Sequence, residues 1–383
     1  MKIGIFIDNF FEAQRYKDPG VIAESLFNLG HQVTIYCFNT NSEKLNEITI
    51  KKVSKKESEN YLFWKKEESE QIILYSWLSL RFSSLIKTLK SANKKIILKL
   101  DSDGHLIYPL KPTYLRTFGR DNSLKQLTIR IIRFLQWSVF LKLNSQKRIN
   151  QLSLSDAAII ESPLALANME NSLKKWQRKD LADKLFFIPD PVSFDIAGEE
   201  NGADKKENII ICNGRWDDKQ KNKSGLIKVL SQTDLSGWRL VIIGNKSSEI
   251  KSLLKKTKPN LNIEAVEKIE HQLIGKYLEK SKIFFAPSNH ESFNLAVAES
   301  LCFGCSLAGT PLESFFYFSN HGKFGTVSKN FEITGIKKAL EAEISKWNNN
   351  IYNPKEISAY WRKQLSPEII GKSIESLLKK YEN

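Results

Sequence analysis

Short apolar runs alternate with amphipathic stretches along most of the chain. Residues 2–8 form an apolar run that ends in a polar loop, and 21–29 carry helical spacing before Gly30 and His31. A second apolar run follows at 32–36. Strand, helix closed by glycine, strand is the order of a βαβ unit, and it predicts a parallel sheet. The alternation continues with a strand at 71–75, a helix at 78–90 and strands at 95–100 and 157–160. The intervening segment 40–70 is rich in Lys, Glu, Ser and Asn and predicts no clear element.

Two prolines, Pro189 and Pro191, lead into the polar stretch 198–208, which has no periodicity. This break places a domain boundary, with a first domain over 1–190 and a second over 191–383. Beyond it a new series begins with strands at 208–214, 239–244, 262–266, 282–286 and 305–308. Helices at 224–231, 247–256, 272–280 and 295–303 fall between them. The series predicts an α/β fold of two tandem Rossmann-like domains with a cleft between them. The loops after Gly214, Gly244 and Ala286 are expected to face that cleft, because ligands in such sheets bind beyond the carboxyl ends of the strands.

Composition agrees with two cores: 383 residues, 41% hydrophobic and 26% charged, lie in the ordinary globular range. No apolar run approaches the ~18–20 residues of a membrane span, and the first residues read as a strand, so a cytoplasmic location is expected. Of four cysteines, Cys302 and Cys305 form a lone C-x2-C at a helix end, for which packing is the expected role. His31 reads as a helix-to-strand turn, and Ser162 as a solvated helix cap, with an acceptor contact as its alternative.

The charge of +15 is uneven: segment 111–150 holds nine Lys and Arg against one Asp. At helical spacing Leu124, Leu127, Ile131, Phe134 and Leu135 share a face. Gln126, Arg130 and Arg133 oppose them, with Ile129, Trp137 and Phe140 among the polar positions. A basic helix with stray apolar groups on its charged side suits an anionic membrane surface. A solvated face or a funnel for anionic acceptors are the alternatives. No nucleic-acid motif accompanies the charge, so nucleic acid is not expected as a partner.

The densest chemistry lies in 287–304, where Glu291 and Glu299 stand eight positions apart. Glu291 falls in a polar loop after an apolar strand, and Glu299 about a turn inside the next helix. Phe293, Asn294 and Leu295 would present backbone N–H groups at the helix N-terminus, a ready site for a phosphate. Glu299 can then accept from a ribose diol, and Glu291 can reach the ring attached to that phosphate. Gly214 and Arg215 open the loop after the first strand of the second domain, and Lys221 follows before the next helix. A guanidinium and an ammonium there can neutralise a diphosphate without a metal ion or other cofactor.

Together, the Gly214-Arg215 and Lys221-Asn222 loop and the E-S-F-x-L-x-x-x-E run from Glu291 to Glu299 resemble the retaining GT-B fold glycosyltransferases, specifically glycosyltransferase family 4. The resemblance covers roughly 185–383 and extends to the first domain in outline. It implies that Glu291 contacts donor sugar hydroxyls, Glu299 holds the ribose, and Arg215 and Lys221 hold the diphosphate. It also implies that the first domain takes the acceptor and that a final helix near 366–381 crosses back to that domain. The chain departs from the family in its first βα loop, 9–19, which is long and polar with only Gly20 near its end.

Asp101-Ser102-Asp103-Gly104 is a D-x-D after an apolar strand. A metal site, sugar or acceptor contacts by Asp101, Asp103 or His105, and a plain turn are its three readings. The expected function is retaining, metal-independent sugar transfer from a nucleoside diphosphate sugar to an acceptor hydroxyl in bacterial polysaccharide or glycolipid synthesis. A sugar-nucleotide epimerase of the same fold and a non-catalytic nucleotide-sugar or membrane-surface binding protein are the alternatives.

Overall fold

Alternate residues of the first strand serve two cores: Ile3, Ile5 and Ile7 pack on one face of a sheet, and Phe6 on the other. In this computed structural model, which describes residues 1–76, 80–100, 103–106, 124–193, 206–267 and 269–382, that sheet belongs to the first of two units. The first unit comprises Met1–Pro191 and Pro367–Asn383, the second Val192–Ser366.

The strands of the first unit are β1 (Lys2–Phe10), β2 (Gln32–Thr40), β3 (Lys44–Leu45), β4 (Ile48–Lys52), β5 (Gln71–Tyr75), β6 (Lys95–Leu100), β7 (Ala157–Ile160) and β8 (Leu185–Phe187). Their order is β3-β4-β2-β1-β5-β6-β7-β8. All neighbours run parallel except the β3–β4 hairpin. The helix Pro367–Lys379 returns to this unit, burying Ile370, Ile374, Leu377 and Leu378 in the core that holds Ile3 and Ile5. Its Gly371 lets it approach the helix Asp18–Asn28, because a Cβ there would fall 2.8 Å from Ser25 Cβ.

Segment 40–70 is more ordered than its composition suggests. Asn46 takes a left-handed φ of 52° at the hairpin turn, which Asn tolerates. Two short helices, Lys55–Ser58 and Tyr61–Lys66, then bury Trp64, whose indole N–H donates to the Ser58 carbonyl at 2.8 Å. The long first βα loop holds a one-turn helix, Glu12–Gln14. Gly20 permits its close approach, since a Cβ there would meet the Gln14 carbonyl at 2.5 Å.

At the carboxyl ends of β6 and β7, Lys99 is buried between Glu161 (2.7 Å) and Asp190 (2.5 Å). Burial disfavours its ammonium, but the carboxylates of Asp190, Glu161 and Asp18 outweigh that cost and raise its pKa. Nearby, Arg148 donates to Ser76 and Gln151, and burial alone pulls its pKa down to about 10.

The basic stretch is two helices, not one. Leu124–Leu135 ends before Gln136, whose φ of −99° and ψ of 26° precede the helix Trp137–Leu154. Ile131 and Leu135, expected on an apolar face, are exposed, as are Ile129, Ile132, Val139 and Leu143. Trp137 and Phe140 pack on each other with ring centroids 5.4 Å apart. Segment 111–123 and the side chains of Leu124, Leu127, Gln126, Arg130 and Arg133 lie outside the described residues. Ser162 caps the helix Pro163–Lys175 as expected, accepting from the Ala165 N–H at 3.1 Å, but it is buried.

The second unit contains β9 (Glu207–Asn213), β10 (Arg239–Ile243), β11 (Ile263–Val266), β12 (Ser281–Ala286), β13 (Ser306–Gly309) and β14 (Gly325–Val327), all parallel. Their order is β11-β10-β9-β12-β13-β14. This is the 3-2-1-4-5-6 order of a doubly wound dinucleotide-binding sheet, with its topological switch point between β9 and β12. The core includes Trp216, Phe293, Phe315, Phe318 and Trp361. Cys302 and Cys305 are buried free thiols, with Cys302 in this core and Cys305 accepting from Lys206 Nζ at 3.7 Å.

Candidate active site

Both loops that flank the switch point carry residues singled out in the sequence, and they are stitched to each other. The Asn289 N–H donates to the Gln220 carbonyl at 2.8 Å, and its side-chain amide to the Lys219 carbonyl at 2.7 Å. Asn222 returns the contact, donating to the Pro287 carbonyl at 2.9 Å. Asn222 and Asn294 both adopt left-handed φ values, 54° and 77°. Each then caps the following helix by accepting from a backbone N–H, Gly225 at 3.1 Å and Val297 at 3.3 Å. Left-handed asparagines thus start the helix on both sides of the switch point.

This framework holds Glu291, whose side chain is 5% exposed. Its Oε1 accepts from Lys221 Nζ and Ser288 Oγ, both at 2.7 Å, and its Oε2 from the Gln220 amide at 2.7 Å. Ser288 is steadied in turn by Thr310, whose hydroxyl donates to its carbonyl at 2.6 Å. Three donors, one of them the Lys221 ammonium, engage both oxygens of this carboxylate as acceptors, an arrangement suited to meeting sugar hydroxyls. Lys221 spends one N–H on Glu291, which leaves two for another anion. Gly214 makes room for its stem, because a Cβ there would fall 3.2 Å from Lys221 Cγ. Gly244 has φ 116° and brings the loop after β10 against the Gly214 carbonyl, which its Cβ would strike at 1.9 Å.

Arg215 stands apart from that cluster. Its side chain is 72% exposed and pairs with Asp218 at 3.3 Å, so it adds a solvated positive charge at the rim of the loop. The neighbouring Trp216 is buried, with its backbone N–H donating to Asn245 and its indole to the Ile243 carbonyl. Asp217 has its carboxyl pKa lowered by a hydrogen bond from Asn245.

Phe293 is core, its ring 4.9 Å from that of Phe318. Its side chain anchors the turn, and only the backbone at 293–295 faces the helix N-terminus of Leu295–Cys302. Glu299, one turn into that helix, is 6% exposed and accepts from His271 Nε2 at 2.8 Å. The sequence reading gave no role to His271, Ser288, Gln220 or Asn289. Asn222, named in the sequence as part of its loop, could also have been given its capping role, because Asn immediately before a helix signals an N-cap.

In the first unit, Asp103 lies 3.1 Å from the His105 ring and accepts the His105 N–H at 3.3 Å, while Asp101 lies outside the described residues. Among the described residues, no group of three or more His, Cys, Asp or Glu side chains is placed to hold a metal ion. No helix among them is long and apolar enough to cross a membrane.

The two parallel-sheet units define the GT-B α/β fold of glycosyltransferases. Residues 193–363 match the family model described as Glycosyl transferases group 1. HepE of Anabaena, solved with UDP, is similar over 99% of this chain and 100% of its own, at 11% identity and a TM-score of 0.71. A glycosyltransferase of Rickettsia africae matches over 99% and 98% at 13% identity and 0.69. Sucrose-phosphate synthase of Thermosynechococcus elongatus matches over 99% and 98% at 13% and 0.66. At these identities the likeness is one of fold. No curated protein matches the chain.

Proposed function

We propose that this protein is a retaining glycosyltransferase that moves a sugar from a nucleoside diphosphate sugar to an acceptor hydroxyl, without a required metal ion. One observation carries the reading: at the switch point of a dinucleotide-type sheet, a fixed carboxylate, Glu291, lies against a lysine with donors to spare. HepE of Anabaena has been solved with UDP and with UDP-glucose, which supports a nucleoside diphosphate sugar as donor here.

As the bond from the anomeric carbon to the diphosphate breaks, the leaving group takes the electron pair and gains negative charge. Lys221 and Arg215 offset that charge, the backbone N–H groups at 293–295 hold a phosphate, Glu291 places the sugar and Glu299 the ribose. The first unit takes the acceptor, with Asp103 and His105 near it. The class of product is a bacterial polysaccharide or glycolipid, made on the cytoplasmic side. An anionic membrane surface meets the exposed apolar and basic residues of 124–154.

The test is release of nucleoside diphosphate from a panel of nucleotide sugars by purified protein, with and without acceptor extracts and with and without EDTA. Acceptor-dependent release that survives the chelator supports the proposal. Conversion of donor to an isomer without acceptor identifies an epimerase instead, and binding without turnover a non-catalytic protein. Loss of release in EDTA, restored by Mn²⁺ or Mg²⁺ and mimicked by Asp101→Asn, moves the site to the D-x-D.

A further inference from the structure

A carboxylate meant to accept two hydroxyls of one ribose must be ionised and must present its oxygens at a fixed angle. Glu299 is buried on the helix Leu295–Cys302, and His271 is the hydrogen-bond partner of its carboxylate among the described residues. The two come from different elements: His271 is the first residue of the helix His271–Lys280, which follows β11 at the sheet edge, whereas Glu299 follows β12. An ionised carboxylate only accepts, so Nε2 carries the proton. That bond occupies one lone pair of Oε1 and leaves the others of the carboxylate for a ligand.

We propose that His271 is a positioning residue for the nucleotide, holding Glu299 so that it recognises the ribose hydroxyls and discriminates ribose from 2′-deoxyribose. This rests on the donor-site reading given above. The histidine does not touch the nucleotide in this account. It acts through Glu299, by fixing which oxygen faces the sugar. The half-open setting of His271, 27% exposed against 6% for Glu299, puts the carboxylate at the inner end of the pair.

The experiment is calorimetric titration of the ribonucleoside diphosphates and their 2′-deoxy counterparts into the wild-type protein and the variants His271→Ala, His271→Gln and Glu299→Gln. Removing a charge-assisted hydrogen bond from a buried carboxylate should weaken ribonucleotide binding roughly tenfold in His271→Ala. Binding of the 2′-deoxy compound should change little. The His271→Gln amide can still donate to Glu299 and should restore most of the preference for ribose, with kcat at saturating donor close to wild type in both. Equal losses for the two sugars, or full ribose preference in His271→Ala, would overturn the role of His271. If Glu299→Gln loses the preference in that same case, the donor site stands and only this inference fails. If the wild-type protein binds no nucleoside diphosphate, both fail together.

Discussion

Lys221 and Glu291 form an ion pair of 2.7 Å that joins the two loops at the switch point of the second unit. The pair sets how each residue can serve. Glu291 is held as an acceptor by Lys221, Ser288 and Gln220, and Lys221 is held by Glu291 where its remaining donors can meet a phosphate.

Lys221→Ala should lower turnover on the order of 10²–10³-fold, the usual effect of removing one such electrostatic contact. Arg215→Ala should lower turnover by less, because its charge is solvated at the rim, and leave the thermal midpoint unchanged, because an exposed pair such as Arg215–Asp218 adds little stability. Steady-state kinetics beside a melting curve checks both. Normal turnover in both variants would remove the diphosphate from this loop.

Glu299→Gln should raise the KM for donor more than it lowers kcat, since it keeps size but loses a charged acceptor for the ribose. Glu291→Gln should act chiefly on kcat by loosening sugar placement. A donor-concentration series on each variant reads the split. Identical effects on both parameters would argue against separate roles.

Much of this architecture is legible in the residues. Strands 71–75, 95–100 and 157–160 are predominantly apolar, interrupted only by Gln71, Lys95 and Lys99, as suits a parallel sheet covered on both faces. The hairpin Lys44–Lys52 was hidden because its lysines face outward at the sheet edge and dilute the period-two signal of Ile48 and Ile50. At the site, the spacing from Glu291 to Glu299 is local and could be read. His271 could not, because it meets Glu299 from 28 positions away through the order of the strands. The pairing of Lys221 with Glu291, 70 positions apart, was hidden for the same reason.

Lys99→Met should destabilise the first unit by about 3–5 kcal/mol, because it leaves Glu161 and Asp190 buried without their cation. The raised pKa of Lys99 sets the pH window. The pair's stabilisation is complete below the unfolded lysine value and is lost only as pH rises through the higher folded value. Urea unfolding at neutral pH should show the deficit. A variant as stable as wild type would mean that the buried charges are compensated elsewhere.

Wild-type protein should co-sediment with anionic vesicles at low salt and be released at high salt, with about 1 kcal/mol of attraction per basic residue at the surface. Arg130→Glu with Arg133→Glu should abolish the charge attraction. Replacing the exposed Ile132 and Leu135 by Ser should weaken binding even at low salt. Donor hydrolysis in solution should stay near wild type in both cases. Protein that ignores anionic vesicles at low salt would leave 124–154 as a solvated face.

The loops joined by Lys221 and Glu291 should hold a nucleoside diphosphate. Calorimetric titration of the four ribonucleoside diphosphates, without added metal, tests it most directly. At least one of them should bind one-to-one to the wild-type protein, with a loss of roughly tenfold or more in Lys221→Ala, as expected for a charge-assisted contact. Binding of none of the four, or binding indifferent to Lys221→Ala, would contradict it.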